Sequence, residues 1–307
     1  MTDACAELLL IDAFTDRAFA GNPAGVVLRA DALDESQMQK IAREVHASET
    51  AFVTAFDGRT ASVRYFTPRC EVDYCGHATV AAMAALAWEG RLEVDDVPVT
   101  VQLATHAGQM ACELRPHPYF GVEVIQTQAR PRFADFGYRV ELLAGALGLD
   151  AQQIPKGWPL GRAYTGLWAL VVPVASRKAI DSARPDFAAL ADLDDKLGCA
   201  STHLYTYQGE RELYCRDFSP AVGVPEDPVT GSASGAAAAL LLREGAIAAT
   251  PPITVILFEQ GCAMGRPGRV RVEVDHEGES ISAVRIAGTA VLVLRGQITV
   301  PPQAEKA

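Results

Sequence analysis

Two stretches of the chain carry no amphipathic period at all. Residues 78–88 hold no charge and almost no polar atom, and they follow a polar turn that ends in Gly76-His77. A helix that is apolar on every side must be enclosed on every side. This one is too short to cross a bilayer and is made largely of alanine. It is therefore expected to be the axis of a domain, with strands wrapped around it. Its N-terminus, where backbone N–H groups lack helical partners, is a natural place to hold an anion. Residues 233–242 form a second run of the same kind behind Gly231-Ser232.

Elsewhere the pattern alternates or runs in short apolar blocks. Strands are predicted over 8–14, 24–28, 51–55, 62–66, 97–103, 110–114 and 119–126. Gly21-Asn22-Pro23 and Asp57-Gly58 read as turns. A helix is predicted from Asp34-Glu35-Ser36 to about Val45, with Met38, Ile41, Ala42 and Val45 on one face. In the second half, 138–149 and 187–197 read as helices. Strands are predicted there over 167–172, 204–207, 212–218, 253–258, 269–274, 282–286 and 290–294. The class is α+β with strands dominating: in each half about six strands, one amphipathic helix and one enclosed helix.

The halves repeat each other. Phe66-Thr67-Pro68 recurs as Phe218-Ser219-Pro220, 152 positions on, whereas Gly76 and Gly231 stand 155 apart. The second turn is therefore longer by three residues. The enclosed helices end on the same 155 offset, at Trp88-Glu89-Gly90 and Arg243-Glu244-Gly245. A duplication at this length predicts two similar domains rather than a solenoid. We place them at 1–128 and 129–289, with a last strand from about 290 to 307 as a candidate for return to the first domain.

Composition narrows the function. A chain of 307 residues, 49% apolar, can build two cores. A net charge of −11 argues against nucleic acid and anionic membranes as partners. There is no secretory leader pattern and no long apolar span. Seven cysteines without C-x-x-C spacing suggest free thiols in a reducing cytoplasm. Six histidines without H-x-x-x-H or H-E-x-x-H spacing give no metal signature.

If the two copies face each other, Gly76-His77 and Gly231-Ser232 present N–H groups to one cleft, which suits a small carboxylate or an oxyanion. The plainer reading is a glycine that each turn requires, with Ser232 as a cap. Glu49 stands among small residues directly before an apolar run, and the repeat puts Ser201 in its place, so the fold does not require a carboxylate there. Partly buried, it would be a usable general acid or base; at the surface it would merely end a helix or cap a turn. Asp227 and His77 each have an ordinary role beside a helix start, Asp227 as a dipole partner and His77 as a neutral donor. Their grouping with Glu49 is what makes them candidates. Cys75 precedes Gly76-His77 and is either a reactive thiolate or a buried structural thiol.

At these residues the sequence resembles the phenazine-biosynthesis PhzF-like family. The resemblance rests on Asp12-Ala13-Phe14 with Gly21-Asn22-Pro23, Ser48-Glu49-Thr50-Ala51-Phe52, Phe66-Thr67-Pro68 with Gly76-His77, and Asp227-Pro228-Val229-Thr230-Gly231-Ser232. Glu259-Gln260-Gly261 with Gly265-Arg266-Pro267-Gly268 also fits. The family is related to diaminopimelate epimerases and proline racemases. The resemblance implies two pseudo-symmetric domains, each a barrel-like sheet around a central helix, with the site between them, and a homodimer. It implies Glu49 as the acid/base carboxylate and His77 and Asp227 as further polar site residues. Gly76, Gly231 and Ser232 would hold the substrate carboxylate, with Ser48 and Cys75 alongside. The family reaction is the isomerisation of trans-2,3-dihydro-3-hydroxyanthranilate, a proton shift that needs no cofactor. Cys75 and the turn Arg69-Cys70-Glu71-Val72-Asp73 depart from the phenazine enzymes, which leaves the substrate open. Three functions are thus in play: a Glu49-dependent isomerase, a Cys75-dependent racemase, epimerase or dehydratase, and a non-catalytic binder of a metabolite or protein.

Overall fold

Secondary structure follows the apolar pattern closely. The computed structural model describes residues 4–278 and 280–303; residues 1–3 of the expected first domain and 304–307 of the expected last strand lie outside the described residues. The chain forms two compact units. The first runs to Gln126 and takes up the chain again at Ala287; the second is Thr127–Ile286.

In chain order the first unit comprises β1 (Cys5–Ala13), β2 (Asn22–Val27), α1 (Glu35–Val45), β3 (Glu49–Phe56), β4 (Thr60–Phe66) and β5 (Glu71–Val72). Helix α2 (Gly76–Trp88), β6 (Val99–Thr105), β7 (Gly108–His117) and β8 (Gly121–Thr127) follow. The second unit contains β9 (Arg132–Asp135), α3 (Val140–Leu147), β10 (Gly161–Tyr164), β11 (Trp168–Pro173), α4 (Arg177–Ser182) and α5 (Phe187–Leu197). It continues with β12 (Ser201–Tyr207), β13 (Glu212–Ser219), β14 (Val224–Asp227), α6 (Gly231–Arg243), β15 (Ile253–Gln260), β16 (Gly268–Glu277) and β17 (Ser280–Gly288). The chain then returns as β18 (Ala290–Thr299), antiparallel to β1.

Both units use one strand order. In the first, β18, β1, β2, β3, β4, β6 and β7 pair in turn, with β2–β3 and β4–β6 parallel. In the second, β9, β10, β11, β12, β13, β15 and β16 do the same, with β11–β12 and β13–β15 parallel. The apolar axis of the first unit is α2, in which every residue from 77 to 86 is buried. It packs against β1, β2, β3 and β18, and alanines at 78, 81, 82, 84 and 85 let those strands come close. Helix α6 is buried in the same way against β10, β11, β12 and β16.

Several details differ from the sequence reading. Among the described residues each unit draws on nine strands rather than about six, because the pairs at β5, β9, β10 and β14 are too short to show a period. The second unit also carries α3 and α4 on its outer layer, over a separate core that includes Leu143, Leu147, Ile180, Leu190 and Leu197. The helix expected over 138–149 is shorter, because Gly148 adopts φ +64 and stops it where a side chain would run into the Arg184 carbonyl. The turn expected at Gly21-Asn22-Pro23 narrows to Gly21 at φ +62, since Asn22 and Pro23 already belong to β2. Helix α1 begins as its sequence suggests: Asp34 caps the Gln37 N–H and the Gln37 side chain caps Asp34 in return.

Candidate active site

The β2–α1–β3 crossover places Glu49 at the head of β3, level with Ala24 of β2. Its counterpart in the second unit is Ser201, at the head of β12 and level with Ala169 of β11. The register thus repeats but the carboxylate does not. Beside Glu49 lies the entrance to α2. Glu49 Oε2 is 3.2 Å from His77 Nε2, with the two side chains 18% and 9% exposed. Ser48 Oγ lies 3.1 Å from the same nitrogen and donates toward the Pro23 carbonyl at 3.2 Å. With Nε2 protonated, the neutral imidazole donates toward Glu49 and Ser48, and the Cys75 sulfur lies beside the ring, 3.4 Å from Nδ1 and 3.8 Å from Nε2.

Burial pushes the Glu49 carboxyl above its ordinary range, and hydrogen bonds from Ser48 and Cys75 offset part of the shift. A carboxylate poised this way exchanges protons nearer neutral pH than an exposed glutamate does. Cys75 occupies the N-cap position without a side-chain capping bond, and the first turn of α2 holds no acidic residue. Free N–H groups at such a terminus carry a partial positive charge. The Gly76 carbonyl is fixed by Gln126 Nε2 at 2.7 Å, and Gln126 Oε1 in turn accepts from Tyr74 Oη at 2.7 Å.

The second unit repeats the entrance with different chemistry. Helix α6 starts behind Thr230, again with no side-chain cap and no acid in its first turn. Ser232 is the second residue of this helix rather than its cap. Asp227 ends β14, and its Oδ2 accepts from Thr230 Oγ1 at 2.5 Å. Buried Gln260 clamps the turn: its Nε2 donates to the Asp227 carbonyl at 2.8 Å, and its Oε1 accepts from the Thr230 N–H at 3.1 Å. Gly231 and Ser232 follow directly. The structure therefore gathers Ser48, Glu49, Cys75, Gly76 and His77 at one helix start, and Asp227, Gly231 and Ser232 at the other.

Sequence reasoning named Gln260 only within a family motif, without a role, and missed Gln126. It also missed a duplicated clamp behind each helix start. Arg64 forms a two-pronged pair with Glu71, at 2.7 and 2.6 Å, and its guanidinium lies 5.2 Å from the Phe66 ring centre. Arg216 pairs with Glu226 at 2.7 and 2.8 Å, 4.7 Å from the Phe218 ring centre. The signal was present, since both pairs sit on the same 152 and 155 offsets as the motifs.

The structure is a doubled α+β unit around two apolar helices, with a partly buried glutamate beside one helix start. Residues 11–296 match the family model described as phenazine biosynthesis-like protein, PhzC-PhzF, and the chain belongs to that family. It is 40% identical over 294 residues to an isomerase of Deinococcus radiodurans of uncharacterized reaction, covering 93% of this chain and 92% of that one. It is 32% identical to the trans-2,3-dihydro-3-hydroxyanthranilate isomerase of Pseudomonas fluorescens, covering 94% and 98%. The crystal structure of the PhzF-family protein of Bacillus anthracis superposes with a TM-score of 0.87 at 33% identity, over 96% of this chain and 99% of that one. The chain is thus a PhzF-type isomerase in fold and class. No helix among the described residues is long and apolar enough to cross a membrane.

Proposed function

We propose that the chain moves a proton on a small carboxylate-bearing substrate, cyclic amino acids among the candidates, without a cofactor and with Glu49 as the acid/base group. The observation that carries this reading is the partly buried Glu49–His77 contact at a helix start whose N-cap side chain makes no capping bond. The Glu49 carboxylate takes a proton from carbon, and the electron pair stays on the substrate as a delocalised anion. The same carboxyl group then returns the proton to a second carbon. His77 Nε2–H holds the carboxylate in place and faces the developing charge. Backbone N–H groups at Gly76 are proposed to bind the substrate, with Ser48 and Cys75 beside Glu49; Gly231, Ser232 and Asp227 are proposed as the corresponding anion-binding start of α6.

A second reading makes Cys75 the working group, because its sulfur touches His77 and hydrogen-bonds Glu49. Inversion by two bases needs them on opposite faces of the carbon. A thiol within contact of Glu49 supplies both groups from one side, which favours a proton shift over an inversion. The non-catalytic reading would leave an energetically costly buried carboxylate without a task.

Solvent deuterium incorporation into candidate substrates tests this. Glu49→Gln should slow exchange by about 100-fold or more, and Cys75→Ala should slow it far less. Equal rates for Glu49→Gln and wild type on a true substrate would overturn the assignment. A protein that binds metabolites but turns over none of them would favour the non-catalytic reading. We further infer a homodimer in a reducing cytoplasm, in keeping with the family and with seven cysteines outside any disulfide. Sedimentation at the mass of one chain would overturn the dimer.

A further inference from the structure

Helix α4 has no counterpart in the first unit, where the described chain passes from β2 to α1 without a helix. Together with β13 and the turn after β15 it frames a cavity of about 410 Å3 within the second unit. That volume lies in the range of small-molecule sites, ~300–1,000 Å3. Three arginines, Arg177, Arg184 and Arg216, and one carboxylate, Asp181, line it beside Tyr214 and Cys262.

The arginines are unequally matched. Arg177 pairs with Glu259 at 3.0 Å, and its guanidinium lies 4.1 Å from the Tyr214 ring centre. Arg216 uses Nε and Nη2 on Glu226. Arg184 forms no ion pair among the described residues; its Nη1 donates to the Asp181 and Ala183 carbonyls, at 2.9 and 2.8 Å. The Ala183 carbonyl also accepts from Arg216 Nη1, at 3.1 Å. Two guanidinium groups therefore meet at one oxygen, and Glu226 is the carboxylate paired with either of them. The first unit has the opposite balance. Arg64, the counterpart of Arg216 on the 152 offset, pairs with two carboxylates, Glu71 and Glu35. On the same offset Glu35 is replaced by Phe187. The second copy has thus lost a carboxylate and gained a cation, which the fold itself does not require. Like charges brought together in this way favour an anion between them. The Cys262 thiol is pushed up by burial and by Glu259, so it adds no negative charge at neutral pH. Asp181 accepts from Tyr214 Oη through Oδ1, which leaves Oδ2 for a ligand hydroxyl.

We propose that this cavity binds a small phosphate monoester, using none of the residues assigned to proton transfer. Nε and Nη2 of Arg184 form the fork that holds the phosphate, with Arg216 and Arg177 adding positive charge. A phosphate dianion answers two converging guanidinium groups better than a single carboxylate does. Asp181 accepts from a hydroxyl of the ester. The site stands whether or not Glu49 is the acid/base group.

Calorimetric titration of the full chain with glycerol 3-phosphate, at fixed ionic strength, tests the proposal. One site per chain is expected. Its affinity should fall at least about tenfold in Arg184→Ala, where a charged fork is lost. Arg184 is exposed, so the variant keeps its core. Arg184→Lys, which restores the charge without the fork, should bind with intermediate affinity. Wild type that does not bind, or Arg184→Ala that binds equally well, overturns the site. Glu49→Gln should bind as wild type does; loss of binding there would put the ligand at the start of α2 and overturn the cavity. Inorganic phosphate should bind more weakly than the ester, because it brings no hydroxyl to Asp181. Equal affinities overturn the ester as the ligand class. A crystal grown with glycerol 3-phosphate gives the answer without a variant. Phosphate against Arg184 and Arg216 supports the site, and phosphate only at the start of α2 or α6 overturns it.

Discussion

Glu49 is held where a carboxylate is expensive. Burial raises its folded-state pKa above the unfolded value of 4.5, so the folded chain binds this proton more tightly than the unfolded chain. The sign of the pH effect follows. Below 4.5 both states are protonated and the residue costs nothing. As pH rises toward the folded pKa, only the unfolded state releases its proton, and stability falls; above it the penalty is constant. Glu49→Gln should therefore raise the melting temperature at neutral pH, and the gain should shrink to near zero below pH 4.5. A gain that is independent of pH would mean that packing, not charge, is responsible. The position was legible in sequence as a charge among small residues before an apolar run. The contacts with Ser48, Cys75 and His77 were partly so, through the family motifs. The tie between Gln126 and the Gly76 carbonyl was not, because neutral amides leave no mark on a hydropathy pattern and β8 lies fifty residues from α2 in the chain.

The duplicated entrance is the element on which the site is built, and its register was readable from the 152 and 155 offsets. The three extra residues in the second copy fall between Pro220 and Glu226, where the chain makes a 3-10 turn, Pro220–Val222, closed by Gly223 at φ +85. Less visible was what holds each entrance shut from behind. Arg216 is 8% exposed and Glu226 16%, and Arg216 also donates to the Ile180 and Ala183 carbonyls. Removing Glu226 leaves an almost buried guanidinium without its counter-charge, which typically costs 3–5 kcal/mol. Arg64 is 23% exposed and keeps Glu35 as a second partner at 2.9 Å. Glu226→Ala should therefore destabilise the chain by about 3 kcal/mol and Glu71→Ala by about 1 kcal/mol, read from urea unfolding of each variant. Equal costs would show that burial does not separate the two clamps. The missed helix α4 and strands β5, β9, β10 and β14 have a common cause: at two to six residues none spans enough of a period to declare itself.

Across the whole chain the strand order was the least legible property, since pairing partners distant in sequence share no local signal. The strand beside β10 is β9, which lies just ahead of it in the chain, whereas the strand beside β1 is β18, which comes from the far end. The first unit is therefore completed only when the last strand arrives. Nine residue pairs join β1 to β18, from Cys5 with Thr299 to Ala13 with Ala290, across one bulge at Leu10/Ile11. Ile298 packs on the cluster of Val27, Met38, Ile41, Phe52 and Phe66 beneath α1, and Gln37 Nε2 donates to the Pro301 carbonyl at 2.7 Å. At roughly 1 kcal/mol net per ladder bond, the loss of β18 is comparable with the 5–15 kcal/mol margin of a typical domain. It also turns β1, with buried Leu9, Ile11 and Ala13, into an open edge. A chain ending at Gly288 should thus become sensitive to protease within residues 4–126 and lose its protected α2 amides in hydrogen exchange. The amides of α6 should keep theirs, because β10, β11, β12 and β16, which pack on α6, are still present. Retained protection of α2 in the shortened chain would show that β1 to β8 hold their axis without the returning strand.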